Sequence, residues 1–279
     1  MPELPEAEHG RTILERVLVG RRISVAHVQM DPIVFESRAP SWVADRLVGR
    51  TVVTAHRKGK YLWLELDEGP HVILHFGMTG TLRTPNDRPL VLSSSPAEPD
   101  LSWPPKFTKL ELLNDRGERL AFTNARRLGR VLFRDDPRGE DPIASLGFDA
   151  YLELPRIEAF RALLGRRKRA VLKGLLLDQG FAAGVGNWIA DEVLYQAKLD
   201  PRRRVESLDP TEVAALRKAI GHVVTTAVGA DADHDQLPKR WLFHRRWGKD
   251  AAARTHDGRA IEFIEIGGRT TAWVPSVQR

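Results

Sequence analysis

Leu175-Leu-Leu-Asp-Gln-Gly-Phe-Ala-Ala-Gly-Val-Gly-Asn-Trp-Ile-Ala-Asp-Glu-Val-Leu-Tyr195 reads as helix, glycine-rich turn, helix. Its first residues belong to an apolar, helix-periodic segment over 170–179, and its last open another over 188–197. Between them stand Gly180, Gly184 and Gly186. A plain helical hairpin accounts for one glycine better than for three, and glycines let a backbone approach a phosphate closely. The second helix would then point its positive dipole end at that phosphate, with the Asn187 amide beside it.

Outward from this stretch the helical period continues. Helices are expected over 157–164 and 211–227, the latter capped by Asp209 or Thr211. Downstream, the segments 262–266 and 270–274 read as strands around Gly267-Gly268, a hairpin by its turn residues. Upstream, 22–133 reads mostly as short strands with Gly and Pro turns, including 23–28, 51–54, 57–66, 72–76, 109–113, 119–123 and 131–134, with a short helix over 41–47. The stretch 84–105 holds six prolines and reads as a long loop. The fold class expected is α+β and multidomain. A β-sandwich with an N-terminal helix spans 1–135, a linker 136–155, a helical domain 156–236 and a β-hairpin module 237–279.

The chain opens Met1-Pro-Glu-Leu-Pro-Glu-Ala-Glu8. Removal of Met1 would leave Pro2 as a secondary α-amine, whose ordinary pKa near 8 keeps a usable neutral fraction at physiological pH. Such an amine attacks electrophilic carbon, and its adduct is a cationic iminium that drives elimination. Glu3 and Glu6 share a helix face, at the end of the helix where negative charge is favoured.

Composition bounds the rest. Lys and Arg number 43 against 37 Asp and Glu, a net charge of +6 over 279 residues, which favours a polyanionic partner. There is no cysteine, hence no disulfide, thiol nucleophile or thiolate metal site. His71 and His75 share a strand face without a third ligand, and His256-Asp257 stands isolated, so no metal site is expected. No apolar run approaches the roughly 20 residues of a membrane span, and an intracellular protein without a membrane partner is expected.

Met1–Glu8 and 175–195 together resemble the formamidopyrimidine-DNA glycosylase/endonuclease VIII family, the second stretch as its helix–two-turn–helix motif. The resemblance covers nearly the whole chain and implies a monomeric enzyme of base excision repair. It would act on double-stranded DNA carrying oxidised bases or AP sites. Pro2 would be the nucleophile, Glu3 the acid/base, Glu6 a supporting carboxylate and Lys60 a contact to the phosphate beside the lesion. Lys173 matches a basic position near the DNA, and Asn187 a phosphate contact. Met78 and Asn124-Ala-Arg-Arg-Leu-Gly129 look like the residues that fill the gap after a nucleotide flips, with Arg126 and Leu128 at the key positions. Leu128 stands where the family usually has an aromatic.

The tail resembles the family's zinc-finger hairpin, but the four cysteine positions fall at Arg254, Asp257, Val274 and Val277. The match is therefore to the zincless branch, with no cofactor and with Arg269 as the arginine that enters DNA. The loop that caps 8-oxoguanine in members favouring that base corresponds to 230–239, which is short here. The activity implied is excision of formamidopyrimidines, hydantoins and oxidised pyrimidines over 8-oxoguanine, followed by β- and δ-elimination. The alternative is a member of the same fold that binds DNA without catalysis or processes only AP sites or crosslinks.

Overall fold

Helix α1 (Leu4–Leu18) starts where Glu3 breaks to extended backbone and Pro5 sits in the first turn, a position that does not need its missing N–H. It buries Ala7, Ile13, Leu14, Val17 and Leu18 on one face, the i, i+3, i+4 spacing of an amphipathic helix. The computed structural model describes residues 1–87, 90 and 100–279 of the chain. Of the expected 84–105 loop, residues 88, 89 and 91–99 lie outside the described residues.

Two compact units divide between Ser145 and Leu146. In the first, β1 (Ile23–Val28) is followed by α2 (Pro40–Leu47), β2 (Val52–Lys58), β3 (Tyr61–Leu66), β4 (His71–His75) and β5 (Thr81–Arg83). Next come β6 (Thr108–Asn114), β7 (Arg119–Thr123) and β8 (Arg130–Arg134). They form two antiparallel four-stranded sheets, ordered β1-β6-β7-β5 and β2-β3-β4-β8. Both sheets and α1 share one core: Leu62, Leu64 and Leu66 of β3 enter it with Leu110, Leu112 and Phe122 of the other sheet. Trp63 points the opposite way, as the two-residue period requires, and packs with Ile73, Leu132 and Ile143.

Ile143 lies in the stretch expected as a linker, and its burial explains why 136–145 is held to the sheet. The rest of that stretch opens the second unit, where β9 (Phe148–Asp149) pairs in parallel with β10 (Ala182–Ala183). The expected 136–155 linker is thus shared out between two folded units rather than standing between them.

The second unit contains α3 (Ile157–Gly165), α4 (Leu172–Leu177), α5 (Asn187–Ala197), α6 (Pro210–Gly229) and the hairpin β11 (Glu262–Ile266) and β12 (Arg269–Trp273). Asp209 caps α6, accepting from the N–H groups of Thr211 and Glu212. Helix α4 is shorter than the expected 170–179, because Val171 pairs with Arg204 as a β-bridge and the Leu172 N–H donates to the Arg203 carbonyl. Residues 156–236 and 237–279, expected as separate modules, fall in this one unit, where α5 packs against both α6 and β12. Among the described residues no helix is long and apolar enough to cross a membrane.

Candidate active site and nucleic-acid surface

The head of α1 carries the N-terminal candidates. Pro2, Glu3 and Glu6 are all buried. The Glu3 backbone N–H donates to Glu6 Oε2 at 2.8 Å, half of a reciprocal capping box in which the Glu3 carboxylate receives the Glu6 N–H. Glu6 therefore fixes the backbone that carries Glu3. A second clamp runs through Arg57, whose Nε donates to Glu8 Oε2 at 2.6 Å and whose Nη1 donates to the Gly59 carbonyl at 3.0 Å. That guanidinium ties α1 to the two-residue β2–β3 turn holding Lys60. Arg57 is 5% exposed, so this clamp is buried. Burial first, and then the charges of Lys60 and Arg130, lower the His75 pKa to about 4, so its imidazole is neutral at physiological pH. It stacks on Tyr61, with centroids 4.5 Å apart, and accepts the Gly77 N–H at Nδ1.

Met78, Arg126 and Leu128 sit on two loops joined by Asn124. Its side chain is wholly buried: Nδ2 donates to the Phe76 carbonyl at 2.9 Å, and Oδ1 accepts the Gly129 N–H at 3.1 Å. Glycines make the close approach possible, since a Cβ would fall 2.2 Å from Asn124 Nδ2 at Gly129 and 2.6 Å from it at Gly80. The loop presents Arg126 and Leu128 exposed, and Met78 half-buried. Next to them Arg127 and Lys109 share Asp31, with contacts of 3.0 and 3.1 Å. Burial alone would raise the Asp31 pKa, but hydrogen bonds from Arg127, Lys109 and the Val34 N–H bring it down to about 2.

In the second unit the expected glycine turn is held by Gln179, which donates to the carbonyls of Leu177 and Val185 and accepts the Gly184 N–H. Asn187 begins α5, and its Nδ2 donates to the Thr270 carbonyl at 2.8 Å, linking the helix start to the hairpin. At the hairpin tip Gly267 and Gly268 both have positive φ, which the two-residue turn demands, and Arg269 follows, exposed.

Lys173 requires a correction. It is fully buried, donates to the Asn187 carbonyl at 2.8 Å and pairs with Asp191, so it supports the start of α5 instead of meeting DNA. A buried ammonium needs such a partner, and Asp191 supplies it. The same carboxylate accepts Arg246 Nη2 at 2.6 Å and the Ala272 N–H of β12 at 3.1 Å. Asp191 and Asn124 stand inside the quoted motifs but were given no role of their own there; the available signal for Asp191 was the acidic pair Asp191-Glu192 inside the otherwise apolar run Trp188–Leu194. Beside Asp191, burial raises the Glu192 pKa to about 7, against hydrogen bonds from Gln196 and the Phe243 N–H.

The four positions that would carry zinc cysteines do not fit a metal. Val274 lies in an apolar cluster with Leu242, Ile261 and Ala272, against which Val277 packs. The Val274 N–H is taken by Gln278 Oε1 at 2.7 Å, and Asp257 accepts from the Thr255 hydroxyl. Packing and local hydrogen bonds occupy the place where a metal would tie the hairpin. Among the described residues no group of three or more His, Asp or Glu could hold a metal ion.

Family models match three successive stretches: the formamidopyrimidine-DNA glycosylase N-terminal domain over residues 1–131, its H2TH domain over 146–238, and the formamidopyrimidine-DNA glycosylase-like C-terminal domain over 241–275. A formamidopyrimidine-DNA glycosylase of Arabidopsis thaliana is 40% identical over 279 residues, 100% of this chain and 71% of the relative. The chain belongs to the formamidopyrimidine-DNA glycosylase family. A member from Geobacter metallireducens is 31% identical, with 100% of both chains covered. The glycosylase of Lactococcus lactis, solved non-covalently bound to DNA containing an AP site, superposes with a TM-score of 0.80 at 24% identity over 99% of each chain. At that identity the likeness shows the shared glycosylase fold.

Proposed function

We propose that this chain is a bifunctional DNA glycosylase and AP lyase of base excision repair. The observation that carries the reading is Pro2 at the buried head of α1, immediately before a Glu3 whose backbone is pinned by Glu6. With Met1 removed, the Pro2 nitrogen attacks sugar C1′ as the bond from C1′ to the base breaks. Glu3 protonates the ring oxygen and helps the base depart. The resulting iminium acidifies C2′; loss of that proton expels the 3′ phosphate, and a second elimination expels the 5′ phosphate.

The remaining residues bind. Lys60 contacts the phosphate beside the lesion, while Met78, Arg126 and Leu128 occupy the gap in the stack. In the second unit the start of α5 with Asn187, and Arg269 at the hairpin tip, contact phosphate and groove. Lys173 and Asp191 hold these two elements and do not touch DNA.

The substrate class proposed is ring-opened purines, hydantoins, oxidised pyrimidines and AP sites, ahead of 8-oxoguanine. Support comes from 230–239, which folds back on itself: Asp233 accepts the Asp235 N–H, a 3-10 turn spans His234–Gln236, and Leu237 is 2% exposed. Little chain remains there to cap a bicyclic base. A hydrogen bond left unmade to a buried polar group costs about 1–3 kcal/mol, one to two decades in rate. Single-turnover rates on matched duplexes test the order, and 8-oxoguanine opposite cytosine emerging fastest would overturn it. Activity on AP-site duplexes with none on intact oxidised bases would favour the AP-processing alternative.

A further inference from the structure

A hole in a base stack is filled best by a flat π surface. The gap-filling loop offers an aliphatic side chain, Leu128, that is 44% exposed. Among the exposed large apolar side chains of the described residues, Phe107 alone is aromatic, and it is 60% exposed. It stands directly before β6, and its carbonyl accepts the Asn124 N–H at 3.0 Å. Asn124 also holds the Phe76 carbonyl and the Gly129 N–H, so one buried residue fixes Phe107, the Met78 turn and the Leu128 loop together.

The backbone of Phe107 is a second sign. Its φ is +61°, a conformation that glycine adopts readily and a bulky aromatic rarely does. Strain of this kind, at an exposed side chain with no core to fill, collects at functional sites. The surroundings suit a polyanion, with Lys106 adjacent and Arg126 and Arg127 exposed on the neighbouring loop.

We infer that Phe107 is a DNA-contacting residue that stacks on the bases bordering the gap left by the flipped nucleotide, supplying the π surface that Leu128 lacks. This rests on the glycosylase reading above. Stacking on one aromatic changes affinity for a base by about tenfold. Sequence-independent affinity comes from phosphates, which Phe107 does not touch.

The test uses the full chain and a duplex holding a tetrahydrofuran AP-site analogue, with 2-aminopurine opposite it, beside the undamaged duplex. Phe107→Ala and Phe107→Leu should each weaken AP-site binding about tenfold, raise 2-aminopurine emission in the complex and leave undamaged-duplex binding unchanged. Phe107→Tyr should retain both readouts, and Leu128→Phe should restore them in the Phe107→Leu background. Phe107→Gly separates contact from folding: it suits a left-handed backbone, so melting should stay at or above that of the original chain while AP-site discrimination falls. Equal losses on both duplexes, unchanged AP-site binding, or a fall in melting that tracks the loss would overturn the inference. If the original chain itself showed no preference for the AP-site duplex, the glycosylase reading would fail first, and the two failures are distinguishable.

Discussion

In the first unit the loops bearing Met78, Arg126 and Leu128 are held by a neutral side chain, the buried Asn124 amide, bonded to backbone groups through closely packed glycines. In the second, the start of α5 and the Arg269 hairpin are held by charge, with Asp191 receiving Lys173, Arg246 and the Ala272 N–H. Truncating a neutral staple leaves neutral backbone groups without their partners, a modest cost. A buried carboxylate leaves uncompensated cations behind, so removing it is far more damaging than the pair is stabilising. The first arrangement is fine positioning of two loops, and the second makes the start of α5 and the Arg269 hairpin depend on a single charge.

The largest expected effect follows directly. Asp191→Ala should destabilise the second unit by about 3–5 kcal/mol, because Lys173 and Arg246 would remain buried without the carboxylate that compensates their charge. Hydrogen exchange resolved by unit measures it, and loss of protection confined to 146–279 is expected. A variant that kept its protection there would show that the hub is dispensable.

The two units should also respond to pH with opposite sign. His75 is held at about 4, below its ordinary 6.5, so between those values the unfolded chain takes a proton that the folded unit refuses. Its contribution is complete above pH 6.5 and is lost as pH falls toward 4. Glu192 is raised from 4.5 to about 7, so the folded unit keeps a proton that the unfolded chain releases. Its contribution is complete below pH 4.5 and is lost as pH rises through 7. Each effect is on the order of 3 kcal/mol at most. Exchange-derived stabilities of each unit from pH 4 to 8 check this, and Glu192→Gln should flatten the alkaline loss in the second unit alone.

Asn124→Ala is expected to cost about 1–3 kcal/mol for the groups it leaves unpaired. Its sharper signature is weaker AP-site binding with undamaged-duplex binding retained, because the gap-filling loops lose their common anchor. Arg269→Ala should be mildest. Melting should not change, and the salt dependence of DNA binding should fall by about one counterion-release unit. A large drop in melting would mean that Arg269 supports the hairpin, contrary to its exposed place beyond the Gly267-Gly268 turn.

The sequence was most informative where the signal is local. The alternation in 57–66, the cap at Asp209, the glycine turn and the 262–274 hairpin all lie within a few residues of their partners. Strand β5 escaped because three residues are too few to show a period. The hubs escaped for a different reason: Asn124 bonds to a carbonyl 48 residues away and Asp191 to an N–H 81 residues away, distances that no spacing rule spans. Lys173 was misread because the local pattern of a basic residue before a glycine turn does not reveal a carboxylate 18 positions on that draws it inside.

The most direct measurement is borohydride trapping on an AP-site duplex, with the protein's N-terminus first checked by mass for removal of Met1. Peptide mapping of the trapped complex should place the adduct on the Pro2 nitrogen, and Pro2→Gly should reduce trapping sharply. An adduct on Lys60, or no adduct from a chain whose Pro2 amine is exposed by Met1 removal, would contradict the N-terminal nucleophile.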